Sequence, residues 1–128
     1  MMSDYETGLR TRREVLGDAH VERATASAGS FGAPFQDFIT RYAWGGVWSR
    51  PGLDRRMRSA ITLAALVSVR AENELAMHVR AALSNGLTPE EVGEILLHTA
   101  VYAGVPAANA AFAIARETLR EAGAIPES

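Results

Sequence analysis

Apolar positions along this chain recur at helical spacing from one end to the other. From Asp4 to about Leu16 the pattern reads as a helix, and Gly17 suits its C-terminal cap. Asp18 is placed to cap a second helix that runs to about Ala28, and Gly29-Ser30-Phe31-Gly32 reads as a break. Behind it Pro34 suits a first helical position. Phe35, Phe38, Ile39 and Tyr42 then fall at i, i+3, i+4 and i+7, an amphipathic stripe that Gly45-Gly46 is expected to end. Trp44, Trp48, Arg50, Pro51 and Gly52 read as an aromatic-rich connection.

Asp54 is the expected cap of the next helix, Arg55 to about Val69. Its stretch Ile61 to Val67 is apolar on nearly every face, which predicts a central buried helix. Arg70 to Asn73 suits a short turn, and another helix is expected from about Glu74 to Ser84, stopped by Asn85-Gly86. Thr88-Pro89-Glu90-Glu91 is a capping box with proline at the first helical position. The helix it opens should reach about Tyr102. Gly104 stops it, and Pro106 begins a last helix that runs to about Ala122. No segment alternates as a strand would, and there is no linker, low-complexity tract or tandem repeat. The expectation is an all-α bundle of about six helices, a single domain over residues 1–128.

Composition adds exclusions. Formal net charge is −2, so nothing draws the whole chain to nucleic acid or to an anionic membrane. No apolar run approaches the roughly 20 residues that span a bilayer. Met1 to Arg13 lacks the apolar core of a secretory signal, so a cytoplasmic location is expected. There is no cysteine, which closes thiol redox chemistry and thiolate ligation. All thirteen basic side chains are arginine, so no lysine imine can form, with a substrate or with pyridoxal phosphate.

Glu74 and His78, spaced i, i+4, share a helix face at the border of the stripe Leu75, Val79, Ala82 and Leu83. Two readings stand side by side. One is a surface pair worth a few tenths of a kcal/mol. The other is a half-buried acid–base pair able to hold and deliver a proton near neutral pH. His98 and Tyr102 repeat the spacing on the next helix and share a face with Ile95. They suit either a core hydrogen bond or a site. Glu74, His78 and His98 match no compact metal motif. Of Arg55, Arg56 and Arg58, Arg56 is expected to face solvent. Arg58 heads towards Ile61, Thr62 and Ala65, where it wants an internal carboxylate or an anionic ligand. Trp44 and Trp48 suit either a pocket wall or core filling. No phosphate loop, dinucleotide fingerprint or nucleophile elbow occurs.

Several stretches, in order, resemble the γ-carboxymuconolactone decarboxylase family: Leu16 to Val21; Trp44-Gly45 through Trp48 to Leu53; Arg58-Ser59 with Ile61-Thr62; Asn73-Glu74-Leu75 with His78; Asn85 to Thr88; and Tyr102-Ala103-Gly104 with Pro106 to Ala110. The resemblance implies an alkylhydroperoxidase-like helical subunit that assembles as a ring-like homo-oligomer, a trimer or hexamer. The peroxide-reducing members of that superfamily use a Cys-x-x-Cys pair, which this chain lacks. The implied substrate is a small unsaturated lactone bearing two carboxylates, decarboxylated without cofactor or metal. The resemblance points most directly to Glu74 and His78 as the acid–base pair. Arg58, with Arg55 second, is the expected holder of the spectator carboxylate. His78 or His98 is the expected enolate donor, Trp44 and Trp48 an apolar wall, and Tyr102 a neighbour of His98. Two other expectations remain: a related lyase or isomerase acting on another unsaturated lactone or oxo-acid, or a non-catalytic oligomeric helical module.

Overall fold

A computed structural model describes residues 3–127. Met1, Met2 and Ser128, the ends of the expected 1–128 domain, lie outside the described residues. All regular structure among the described residues is helical: α1 (Asp4–Leu16), α2 (Asp18–Ile39), a π-helical segment (Thr40–Trp48), α3 (Arg55–Ser68), α4 (Glu72–Ser84), α5 (Pro89–Ala103) and α6 (Val105–Glu121). Six α-helices are present among the described residues, in line with the expected total, and the segments expected on either side of Gly29 to Gly32 form one helix, α2. None is long and apolar enough to cross a membrane. The chain divides into two compact units, residues 1–54 and 55–128.

In the first unit α1 packs against α2 and the π-helical segment. Gly17 closes α1 as expected, its N–H donating to the Arg13 carbonyl. Gly17, not Asp18, occupies the cap position of α2. The expected break is one residue long. Gly29, at φ 57° and ψ −162°, kinks the helix, which resumes ahead of Pro34. The helix also runs past Gly45-Gly46 where a stop was expected, widening into the π-helical segment through Trp48. Packing explains why glycine sits there. A Cβ on Gly8 of α1 would overlap the Thr40 carbonyl oxygen, and one on Gly45 would overlap that of Asp4. The two helices meet backbone to backbone. The stripe Phe35, Phe38, Tyr42 is exposed, with only Ile39 half-buried, and Phe38 and Tyr42 stack with centroids 5.3 Å apart. Val15, Val21 and Trp44 are the buried apolar residues among those described in this unit.

In the second unit α3, α4, α5 and α6 pack on one another. Leu63, Val67, Leu75, Val79, Leu87, Val92, Leu96, Ala107, Ala111, Ala115 and Leu119 form a continuous core. Helix α3 is not buried all round. Its buried stripe is Ser59, Leu63 and Val67, whereas Ile61 is 52% exposed. An apolar run around a whole helix carries no phase. Polar pairing sets it here: Asn85 Nδ2 donates to the buried Ser59 Oγ at 2.9 Å. Helix α4 begins at Glu72, two residues earlier than expected, after Arg70 takes φ 61°. Its buried residues are Leu75, Val79, Ala81 and Ala82. The capping box is complete: Glu91 N–H donates to Thr88 Oγ1 at 3.1 Å, and Thr88 N–H to Glu91 Oε1 at 2.9 Å. Gly104, at φ 99°, separates α5 from α6.

Candidate active site

The α4 face with Leu75 and Val79 in the core brings His78 to its border. His78 is half-buried, with Nδ1 shielded from solvent, and it is engaged by other groups in the structure. Glu74, one turn earlier, is exposed, and its carboxylate makes no hydrogen bond or ion pair among the described residues. The two share a face without a direct bond, so the half-buried ion-paired arrangement is not the one adopted. A carboxylate at the start of α4 still lies in the favourable field of the helix N-terminus, which lowers its incentive to pair.

Arg58 of α3 is half-buried with Nε shielded from solvent, and it too is engaged. Ile61 and Ala65 lie on the exposed side of the helix, so the surroundings expected for Arg58 are corrected with them. Arg55 is half-buried. Arg56 is exposed as expected, and ties α3 to α5: Nη2 donates to Glu91 Oε2 at 2.6 Å and Nη1 to Glu91 Oε1 at 3.2 Å. A second Nη1 bond reaches the Gly86 carbonyl. These bonds, Arg56 first, hold the Glu91 carboxyl down to about 2.

His98 and Tyr102 do not point inward. Both are exposed, Tyr102 by 80%, and their rings lie 5.6 Å apart with a 39° tilt. Ile95 is half-buried because it falls on the side of α5 turned towards Leu96 and Thr99. Helices α3, α4 and α5, which carry Arg58, His78 and His98, pack mutually. Among the described residues Glu74, His78 and His98 are not gathered as a ligand set. Trp44 and Trp48 belong to the first unit, stacked at 5.0 Å; Trp44 is 6% exposed and Trp48 half-buried. Ser49 Oγ donates to the Trp44 carbonyl at 2.6 Å, fixing the end of the π-helical segment.

One residue had no place in the sequence reading. Arg12 is 4% exposed, among the most buried polar side chains of the chain. A signal for it exists: Gly8, Thr11, Arg12 and Val15, all buried in α1, fall at i, i+3, i+4 and i+7.

An all-helical chain with a shielded imidazole and a half-buried guanidinium on adjacent packed helices, and with no thiol, suits acid–base chemistry on a small anionic molecule. Comparison with known proteins is specific. The model of the Carboxymuconolactone decarboxylase family matches residues 33–117, and the chain belongs to that family. It is 49% identical over 123 residues to 4-carboxymuconolactone decarboxylase of Acinetobacter baylyi, covering 96% of this chain and 92% of that one. It is 42% identical over 117 residues to nitrosuccinic acid decarboxylase of Metarhizium robertsii, covering 91% and 82%. A shorter match, 49% over 41 residues, is to 4-carboxymuconolactone decarboxylase of Pseudomonas putida, covering 32% of this chain and 85% of that one.

Proposed function

We propose that this protein is a carboxy-lyase that converts 4-carboxymuconolactone to the enol-lactone of β-ketoadipate and CO₂, in the catabolism of protocatechuate in the cytoplasm. The observation that carries the reading is the near full-length identity of 49% to a 4-carboxymuconolactone decarboxylase. The family match crosses the boundary between residues 54 and 55, which supports reading both units as one functional domain.

The chemistry suits the residues available. The bond from the ring carbon to its carboxylate breaks, and the electron pair passes through the ring double bond to the lactone carbonyl oxygen. The product is CO₂ and a dienolate, which takes one proton at the carbon α to the carbonyl. The lactone is its own electron sink, so a chain without lysine or cysteine can run the reaction. Arg58 holds the spectator carboxylate, with Arg55 second. His78 delivers the proton, with Glu74 one turn away on the same face of α4. His98, exposed in the subunit, is the second candidate donor to the enolate oxygen.

A homo-oligomer, trimer or hexamer, is part of the proposal. Met57 and Ile61, one turn apart on α3, and Leu97 and Val101, one turn apart on α5, are exposed apolar residues that suit contacts between subunits.

The similarity to a nitrosuccinic acid decarboxylase favours one second reading, decarboxylation of another small dicarboxylic acid. Parallel assays of CO₂ release from 4-carboxymuconolactone and from nitrosuccinate separate the two. The proposal expects kcat/KM to be higher for the lactone. A preference for nitrosuccinate overturns it.

A further inference from the structure

The first unit holds a cleft of about 280 Å³ lined by Tyr5, Leu9, Arg12, Gln36, Asp37 and Thr40, with Thr25 and two alanines completing it. That is far above the roughly 10–15 Å³ that one water requires. Arg12 is buried in its wall and has no carboxylate partner among the described residues. Its single hydrogen bond is from Nη1 to Thr40 Oγ1, at 3.3 Å, and its Nε–H has no acceptor. Burying a cation without a counter-charge is among the costlier things a fold can do. Here it pushes the Arg12 guanidinium below its ordinary value, with Tyr5 opposing the shift.

Three other polar side chains of the cleft are already committed. Thr40 Oγ1 donates to the Gln36 carbonyl at 2.7 Å, and Thr25 Oγ1 to the Val21 carbonyl at 2.9 Å. The Asp37 carboxylate accepts from Arg41 Nε with both oxygens, at 3.1 and 3.0 Å, so its charge is answered outside Arg12. Arg41 in turn lies over the Tyr5 ring, 5.2 Å from the centroid. Among the solvent-shielded atoms of the cleft, that leaves Arg12 Nε–H and Gln36 Oε1 without a partner in the described residues, and the Arg12 guanidinium as a whole with one bond for five N–H groups. The two do not bond each other. They call for a molecule that carries an anionic acceptor and a donor together.

From this we infer that the cleft between α1 and α2 is a binding site for a small hydroxycarboxylate, its carboxylate on Arg12 and its hydroxyl donating to Gln36. The site lies wholly within residues 5–40 and uses none of the residues assigned to decarboxylation, so it stands whether or not that assignment does.

The test is calorimetric titration of the full-length protein with glycolate, using glycolamide as the neutral control and chloride as the anion control. The expected result is saturable binding of one glycolate per chain, weakened by salt, with no binding of glycolamide. Arg12→Met should raise the Kd at least about tenfold, the loss of one charge-assisted bond. Gln36→Glu keeps the shape of the side chain and puts a like charge beside the ligand, so it should weaken glycolate similarly if Arg12→Met fails to fold. Arg58→Ala should leave glycolate binding in place. Three outcomes overturn the inference: no saturable binding, binding indifferent to both Arg12→Met and Gln36→Glu, or binding lost with Arg58→Ala alone. Sedimentation of Arg12→Met supplies a further check. A change of oligomeric state would assign the counter-charge to a second copy of the chain and overturn it as well.

Discussion

Arg56 of α3 clasps Glu91 of α5 through both carboxylate oxygens, at 2.6 and 3.2 Å, while Glu91 also closes the capping box of its own helix. One exposed carboxylate thus serves a helix cap and an interhelical tie. Its carboxyl is held to about 2 against an ordinary 4.5, by Arg56 first and then by Thr88. A depressed carboxylate contributes its stability fully above the ordinary value and loses it as pH falls towards the folded one. Glu91→Gln should therefore melt below the parent at pH 6, with the gap narrowing as pH drops from about 4.5 towards 2. Melting curves across that range decide it: a gap that stays constant contradicts the tie.

Thr88→Ala removes the other half of the box without touching the charge. Its expected cost is about 1 kcal/mol at pH 7 and at pH 4 alike, both above the pH at which the folded Glu91 carboxyl takes its proton. Urea titrations at pH 7 and pH 4 should return the same difference.

The close approach of α1 to the π-helical segment leaves no room at Gly8. Gly8→Ala places a methyl against the Thr40 carbonyl, and backbone cannot step aside as a side chain can. A loss of ~1–3 kcal/mol is expected. Gly93 in α5 is the control, since a Cβ there meets nothing within 4 Å. Gly93→Ala should gain about 0.5–1 kcal/mol from helix propensity alone. Equal effects at the two positions would contradict the packing described.

These glycines also mark where the sequence was legible and where it was not. Caps read well because they are local chemistry: Gly17 after α1 and the Thr88–Glu91 box need only neighbouring residues to be satisfied. Gly45-Gly46 misled for the opposite reason. The role of Gly45 is a tertiary approach to α1, which no window along the chain contains. The phase of α3 failed likewise, because Ile61 to Val67 is apolar all round and the choice fell to the Ser59–Asn85 bond. At the candidate site the i, i+4 spacing placed Glu74 and His78 on one face correctly. Spacing could not say that Glu74 would stay in solvent without bonding His78, nor that His98 and Tyr102 would face outward, since both depend on which side of α4 and α5 the core claims. Arg12 went unread because an arginine on a helix is ordinarily a surface residue.

Arg58 is assigned to the spectator carboxylate, a contact made in ground state and transition state alike. Arg58→Gln should then raise KM about tenfold or more with a smaller change in kcat. A fall in kcat at unchanged KM would move Arg58 into the chemical step.

His78 carries the proton in this account. His78→Gln, with folding verified by its melting curve, should lose roughly 10²–10⁴-fold in kcat, the usual worth of a positioned general acid. Glu74→Gln should lose less, since no bond joins the two side chains. The reverse ranking would give the proton to another group.

The reaction itself is the most direct test of the proposed activity. Purified protein should be mixed with 4-carboxymuconolactone in D₂O and followed by NMR with parallel measurement of CO₂. The expected result is one CO₂ released for each lactone consumed, and an enol-lactone carrying one deuterium α to its carbonyl. Lactone consumed without CO₂, or not consumed at all by folded protein, would contradict it.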